Sequence, residues 1–439
     1  MLCSVSKIGR PLRVDQIRKL YPIKSRHYYH GSSAKSLVMS VNGHSSSSIE
    51  HTVKRQKLAQ DDPLDDVDLS QNNWRSPGPA AFDFRSDVVT SPTASMLTSI
   101  AQTTLLDDVF VEDPTTLSLE KRIAELTGHE AALLVMSGTM GNQVSLRTHL
   151  LAPPHSVLCD HRAHILSWEA GGVASLCGAL VKGVVPKNEH HITLEDVEAN
   201  AVLSDDVHAC PTKVISLENT LGGTVAPLEE CRKISQWAKE HGILMHLDGA
   251  RLWEACAAGA GGLEEYCACF DSVSLCFSKG LGAPIGSMII GKSSFIKRAR
   301  WIRKSIGGGT RQAGVVAAPA RVALEETFLG GKLAASHENA RRIGKLWEFL
   351  GGKLALPVET NMVWFNLGEA GIKVKDFVTA AEKLGLRVLG GRLVVHYQIG
   401  GEAIEKLDVL MRELLGGKGV DGINGTVDGD PMQTQVTVE

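Results

Sequence analysis

The chain has 439 residues, 43% of them apolar and 22% charged, an ordinary composition for a globular protein able to bury a large core. Its 46 Lys and Arg against 49 Asp and Glu leave a formal charge of −3, so no strong field directs it to nucleic acid or to an anionic membrane. No apolar run reaches the roughly 18 residues of a spanning helix, and the nine scattered cysteines without C-x-x-C spacing fit a reduced, intracellular protein better than a disulfide framework or a zinc ribbon.

At roughly 150 residues per domain the length allows about three domains. Residues 1–30 carry seven basic residues against the single acid Asp15, the composition of a mitochondrial transit peptide, with a disordered leader as the alternative. Residues 31–82 read as a linker or disordered arm, because Ser45–Ser48, the basic cluster Lys54–Lys57 and the acidic stretch behind it offer no periodic apolar face. From about Asp83 to Leu414, strand-like and helix-like segments alternate, which predicts an α/β domain with a largely parallel sheet. Strands are expected at Ala131–Met136, Ser156–Cys159, Lys213–Leu217, Ile243–Leu247 and Ser272–Phe277. Helices are expected at Thr116–Thr127, with Leu119, Ile123 and Leu126 on one face, and at Glu229–His241, with Cys231, Ile234 and Ala238 on one face. Gly128 and Gly242 follow them as left-handed stops. The segment 415–439, rich in Gly and polar residues, reads as a loose tail.

Ligands of an open parallel sheet bind beyond the carboxyl ends of its strands. Four ends carry chemistry here. Ser137-Gly138-Thr139 opens a helix after the first strand, where free backbone N–H groups and the dipole suit a phosphate; a plain helix cap is the alternative. Asp248 ends the fourth strand, and a buried acid needs a cation, either Arg251 in a structural pair or a protonated ring nitrogen. Lys279 is delivered by the fifth strand into a turn of small residues, where desolvation would let its amine form a Schiff base. Lys279 with Asp248 is the pairing of a pyridoxal phosphate site. The second strand leads to His164, read as an imidazole stacked on a flat cofactor, with a metal ligand or a hydrogen-bonded loop histidine as alternatives.

The segments Asp83–Thr93, Asp107–Thr115, His246–Trp253 and Gly307–Gly314, in this order, resemble the signatures of low-specificity L-threonine aldolases. The resemblance implies the fold type I architecture of pyridoxal phosphate enzymes: a large doubly wound, mostly parallel sheet domain over 83–328 and a small C-terminal α/β domain over 329–414. It also implies a homo-oligomer, dimer or tetramer, with shared sites. By position it makes Lys279 the cofactor lysine, Asp248 the ring-nitrogen partner and His164 the stacked imidazole and first candidate base. Ser137, Gly138 and Thr139 then hold the phosphate, with Lys304 and Arg311 reaching that of a neighbouring subunit. Arg251 falls near the cofactor O3′ or the substrate carboxylate, which Ser86 and Arg392 clamp.

Three positions depart from the pattern. Leu221 stands where bacterial members carry His, and Phe110-Val111 where Tyr-Gly is usual. The implied reaction is retro-aldol cleavage of L-threonine or L-allo-threonine to glycine and acetaldehyde, in threonine catabolism and glycine biosynthesis. The rivals are a β-eliminating lyase of the same fold, an aminotransferase and an inactive binding scaffold. The protein is expected in the cytoplasm, or in mitochondria if the leader is a transit peptide.

Overall fold

The structure, a computed structural model, describes residues 73–416. The readings of the basic leader, of the linker up to residue 72 and of the tail beyond residue 416 lie outside the described residues. Within them, the expected apolar runs become neighbours in one sheet. Its strands are β1 (Ala131–Val135), β2 (Ser156–Asp160), β3 (Leu180–Val184), β4 (Thr212–Glu218), β5 (Leu244–Gly249), β6 (Ser272–Cys276) and β7 (Ser287–Gly291), in the order β1-β7-β6-β5-β4-β2-β3. β3, β2, β4, β5 and β6 run parallel, while β7 lies antiparallel between β1 and β6. β2, β6 and β7 are buried along their whole length, because helices cover both faces; β2 and β7 read as near-continuous apolar runs, while in β6 two small serines alternate with Val273 and Leu275.

The two expected helices form where the periodicity places them. Pro114–Thr127 is capped by Asp113, whose carboxylate accepts from the Thr116 N–H, and it stops at Gly128 in the left-handed conformation (φ 67°). Leu228–Glu240 buries Leu228, Cys231, Ile234 and Ala238 on one face. Two strands of this sheet escape the sequence reading. β3 is a partly exposed edge strand containing Lys182 and Gly183, and β7 follows the glycine-rich stretch after Lys279 with no polar boundary of its own. Among the described residues no helix is long and apolar enough to cross a membrane.

A second, antiparallel sheet is built from β8 (Leu354–Leu356), β9 (Met362–Phe365) and β10 (Arg392–Val394), in the order β10-β9-β8. Its core contains Trp347, Phe365, Phe377, Leu393 and Leu407, with Trp347 and Phe365 stacked at 4.1 Å. Phe84 belongs to this core, although the chain order assigns it to the large domain. Its N–H donates to the Arg387 carbonyl (2.9 Å) and its carbonyl accepts from the Val394 N–H (2.8 Å). Residues 73–82, expected to belong to a loose arm, are ordered, because their apolar side chains find partners. Trp74 packs on the large core, Phe82 packs on the small one, and the Lys406 ammonium lies 4.7 Å above the Phe82 ring. Burying a Phe is worth about 1.5–3 kcal/mol. Anchoring Phe84 also carries the next residues, Arg85 to Asp87, towards β10.

Candidate active site

The carboxyl ends of β2, β4, β5 and β6 converge, and there the titratable side chains gather. Asp248 at the end of β5 is 3% exposed; its Oδ2 accepts from Asn142 Nδ2 (2.7 Å) and its Oδ1 from the Ala250 N–H (3.1 Å). Among the described residues no side-chain cation forms an ion pair with it. Asn142 is oriented from behind. Burial pushes His246 down to about 3, so the imidazole is neutral and its Nε2–H donates to Asn142 Oδ1 (3.1 Å), turning the amide nitrogen towards Asp248 and Glu169. Glu169 accepts from Asn142 Nδ2 (2.8 Å) and from Gln143, and it holds His164 Nδ1 at 2.8 Å. That bond raises the His164 pKa above the ordinary imidazole value, against the opposing effects of burial and of Lys279. Atoms of His164, Glu169 and Asp248 lie within 4.8 Å of one another.

Glu218, the register partner of Asp248 on β4, accepts from the His164 backbone N–H at 2.8 Å. Burial, with Asp248 beside it, pushes its pKa up to about 8. Lys279, just past β6, is half-buried and electrostatically felt by Asp87, His164 and Glu218. Its carbonyl is held by the Thr90 hydroxyl (2.9 Å) and the Gly282 N–H (2.9 Å). A Cβ at 280 would force the buried Glu254 Oε1 to shift, and Gly282 needs its positive φ of 86°.

The alternative of a structural pair between Arg251 and Asp248 is not the one formed: Arg251 Nε and Nη2 bond Asp87 at 2.8 and 2.6 Å, and Asp87 is fully buried. Burial alone would raise the Asp87 pKa, but the guanidinium outweighs it and holds the carboxyl below its ordinary range. Arg251 is correspondingly raised despite its burial. We predict that Asp87→Ala costs about 3–5 kcal/mol by stranding a buried charge. Because the folded pKa is lowered, the wild-type contribution is complete above the unfolded value of about 3.9 and fades as pH falls through the folded pKa. Urea denaturation from pH 7 to 3 checks this, since the variant should be weaker at pH 7 and should lose less on acidification.

Ser86 caps the turn that holds Asp87, its Oγ 3.4 Å from the Val88 N–H and 3.4 Å from Asp87 Oδ1. Arg392, first residue of β10, donates from Nη2 to the Arg85 carbonyl (3.0 Å) and feels both Arg251 and Asp87. Ser86, Arg251 and Arg392 are therefore brought together from distant parts of the chain. Lys304 and Arg311 are not drawn into this group: both are exposed, and Arg311 pairs with Asp107 at 2.8 Å. Val111, where the resembling family has Gly, takes φ 61°, a left-handed conformation costing a β-branched residue about 1–3 kcal/mol.

Sequence reasoning missed Asn142, Glu169, Glu218 and the partnership of Asp87. Glu218 alone had a usable signal, as an acid ending a strand in the same sheet. The chemistry of these donors fits pyridoxal 5′-phosphate. Asp248 is a buried carboxylate without a cation, suited to a protonated ring nitrogen. Ser137 caps the helix Gly138–His149 through the Met140 N–H (3.1 Å), and the nearest atom to a Cβ at Gly138 is the buried, unpartnered Ser287 hydroxyl at 3.9 Å.

Fold and site together define a fold type I pyridoxal phosphate enzyme. The model of the beta-eliminating lyase family matches residues 83–370, and the chain belongs to that family, in its threonine aldolase branch. Aldolase vrtJ of Penicillium aethiopicum is 59% identical over 81% of this chain and 90% of that protein. Alanine racemase TOXG of Cochliobolus carbonum is 45% identical over 78% and 90%, and the low-specificity L-threonine aldolase of Candida albicans is 45% identical over 76% and 90%. Among solved structures, a threonine aldolase of Leishmania major shares the fold with a TM-score of 0.65 at 21% identity, over 76% of this chain and 99% of that one.

Proposed function

We propose that the protein cleaves β-hydroxy-α-amino acids by a retro-aldol reaction, taking L-threonine, L-allo-threonine or both to glycine and acetaldehyde. The reading rests on one observation above all: at the carboxyl edge of the sheet Lys279 stands within electrostatic reach of His164 and Glu218, and both of these adjoin Asp248, a buried carboxylate with no ion pair among the described residues. Lys279 would hold the aldehyde carbon of pyridoxal phosphate, Asp248 its ring nitrogen, His164 its face, and the Ser137–Thr139 turn its phosphate. The cofactor supplies an electron sink for negative charge at the substrate Cα.

The protein's own groups do the rest. Arg392 and Ser86 bind the substrate carboxylate, and the Arg251–Asp87 pair keeps the floor beside them rigid. His164, with Nδ1 committed to Glu169, presents Nε2 to take the β-hydroxyl proton, and the raised pKa makes the imidazole the stronger base. Leu221 and Phe110 contribute no acid or base, so the choice between threo and allo substrates falls to the shape of the site. We further propose an oligomer of this chain that brings Lys304 and Arg311 to a neighbour's phosphate; exposed Leu105, Phe110 and Trp301 are suited to such a contact. An intracellular location is part of the same proposal, and a reporter fused to residues 1–40 separates cytoplasm from mitochondria.

The test is incubation of the purified full-length protein and cofactor with each threonine diastereomer. Acetaldehyde and glycine in equal amounts are expected. Ammonia and 2-oxobutanoate would identify β-elimination instead. The likeness to an alanine racemase supports a second reading, proton exchange at Cα, which would convert L-alanine to its enantiomer and release no aldehyde from threonine.

A further inference from the structure

Trp364 has a part in this arrangement that its position on a short strand does not announce. It is the direct register partner of Arg392, β9 against β10, and the Arg392 guanidinium carbon lies 5.9 Å from the centre of its indole ring. The indole N–H donates to the Gly222 carbonyl at 2.8 Å. The turn containing Gly222 follows Glu218 at the end of β4, and the segment just before β9 grips it at two further points. Thr360 Oγ1 donates to the Gly223 carbonyl (2.7 Å), and the Val225 N–H donates to Glu359 Oε2 (2.7 Å). Trp364 thus has one edge fixed to the large sheet and one face under a guanidinium of the small sheet.

Arg392 needs such support. Among the described residues its side chain makes one hydrogen bond, from Nη2 to the Arg85 carbonyl, and no acidic side chain pairs with it. A four-bond side chain with a single anchor sweeps many rotamers, and each must be surrendered when a carboxylate is bound. A ring face restricts the guanidinium to one plane before the substrate arrives.

We propose that Trp364 is the positioning residue for Arg392: pinned by its N–H to the Leu221–Gly222 turn, it holds the guanidinium in the plane that receives the substrate carboxylate. The inference rests on the reading of Arg392 in the proposed function. Trp364→Leu is expected to raise the KM for threonine about tenfold with kcat within about twofold of wild type, and Trp364→Phe, which keeps the ring but not the N–H, about threefold. In an Arg392→Ala background, Trp364→Leu should add nothing. An unchanged KM in Trp364→Leu, a loss confined to kcat, or the same factor in the Arg392→Ala background would each overturn the inference. If Trp364→Leu fails to fold, Trp364→Phe decides by the same split between KM and kcat. Should Arg392→Ala itself leave KM unchanged, the carboxylate assignment falls and the inference with it, a result distinct from an Arg392 effect that Trp364 does not share.

Discussion

Lys279→Ala is expected to lower kcat/KM for both threonine diastereomers at least about 10³-fold and to remove the visible absorbance band of the bound cofactor. The backbone of the turn is held by groups that the substitution leaves in place, the Thr90 hydroxyl and the Gly282 N–H on the Lys279 carbonyl. Among the described residues the half-buried ammonium makes no hydrogen bond or ion pair, so its removal breaks no direct contact and leaves Asp87 with its Arg251 partner. Thermal stability should therefore stay within a few degrees of wild type while chemistry is lost. A variant with a wild-type band and wild-type turnover would refute the assignment of Lys279.

What the sequence could disclose follows from where information is local. β1, β2, β4, β5 and β6 were legible because strands covered on both faces leave apolar runs that charged or small residues terminate. Asp248 and Lys279 stand at those terminations and could be singled out. β3 was illegible because an edge strand has no such run. The pairing of Arg251 with Asp87 joins residues 164 apart, and nothing near either one distinguishes that partner from Asp248. Asn142 and Glu169 are equally hidden: one lies inside a helix and the other in a loop, and only the fold places both against Asp248 and His164. Phe84 shows the same limit at the level of domains, since its neighbours in sequence gave no reason to expect it in the core around Trp347.

Asp248→Asn is expected to reduce kcat about 10²–10³-fold, and the hydrogen bonds around the carboxylate show why a shape-conserving change is severe. Both oxygens accept, one from Asn142 Nδ2 and the other from the Ala250 N–H. An amide has a single acceptor, so whichever way it turns, its NH₂ faces one of those donors, at a cost of about 1–3 kcal/mol. The ring nitrogen it should serve also loses the negative charge that keeps it protonated. A second consequence separates this electrostatic role from simple loss of packing. Glu218 is raised to about 8 by burial and then by Asp248, and neutralising Asp248 removes the second cause. The Glu218 pKa must fall, so any limb of the pH–rate profile that Glu218 governs moves to lower pH in the variant. A profile of unchanged shape with kcat near wild type would show that Asp248 is a structural acid held by Asn142 and the Ala250 backbone, with no partnership with the cofactor.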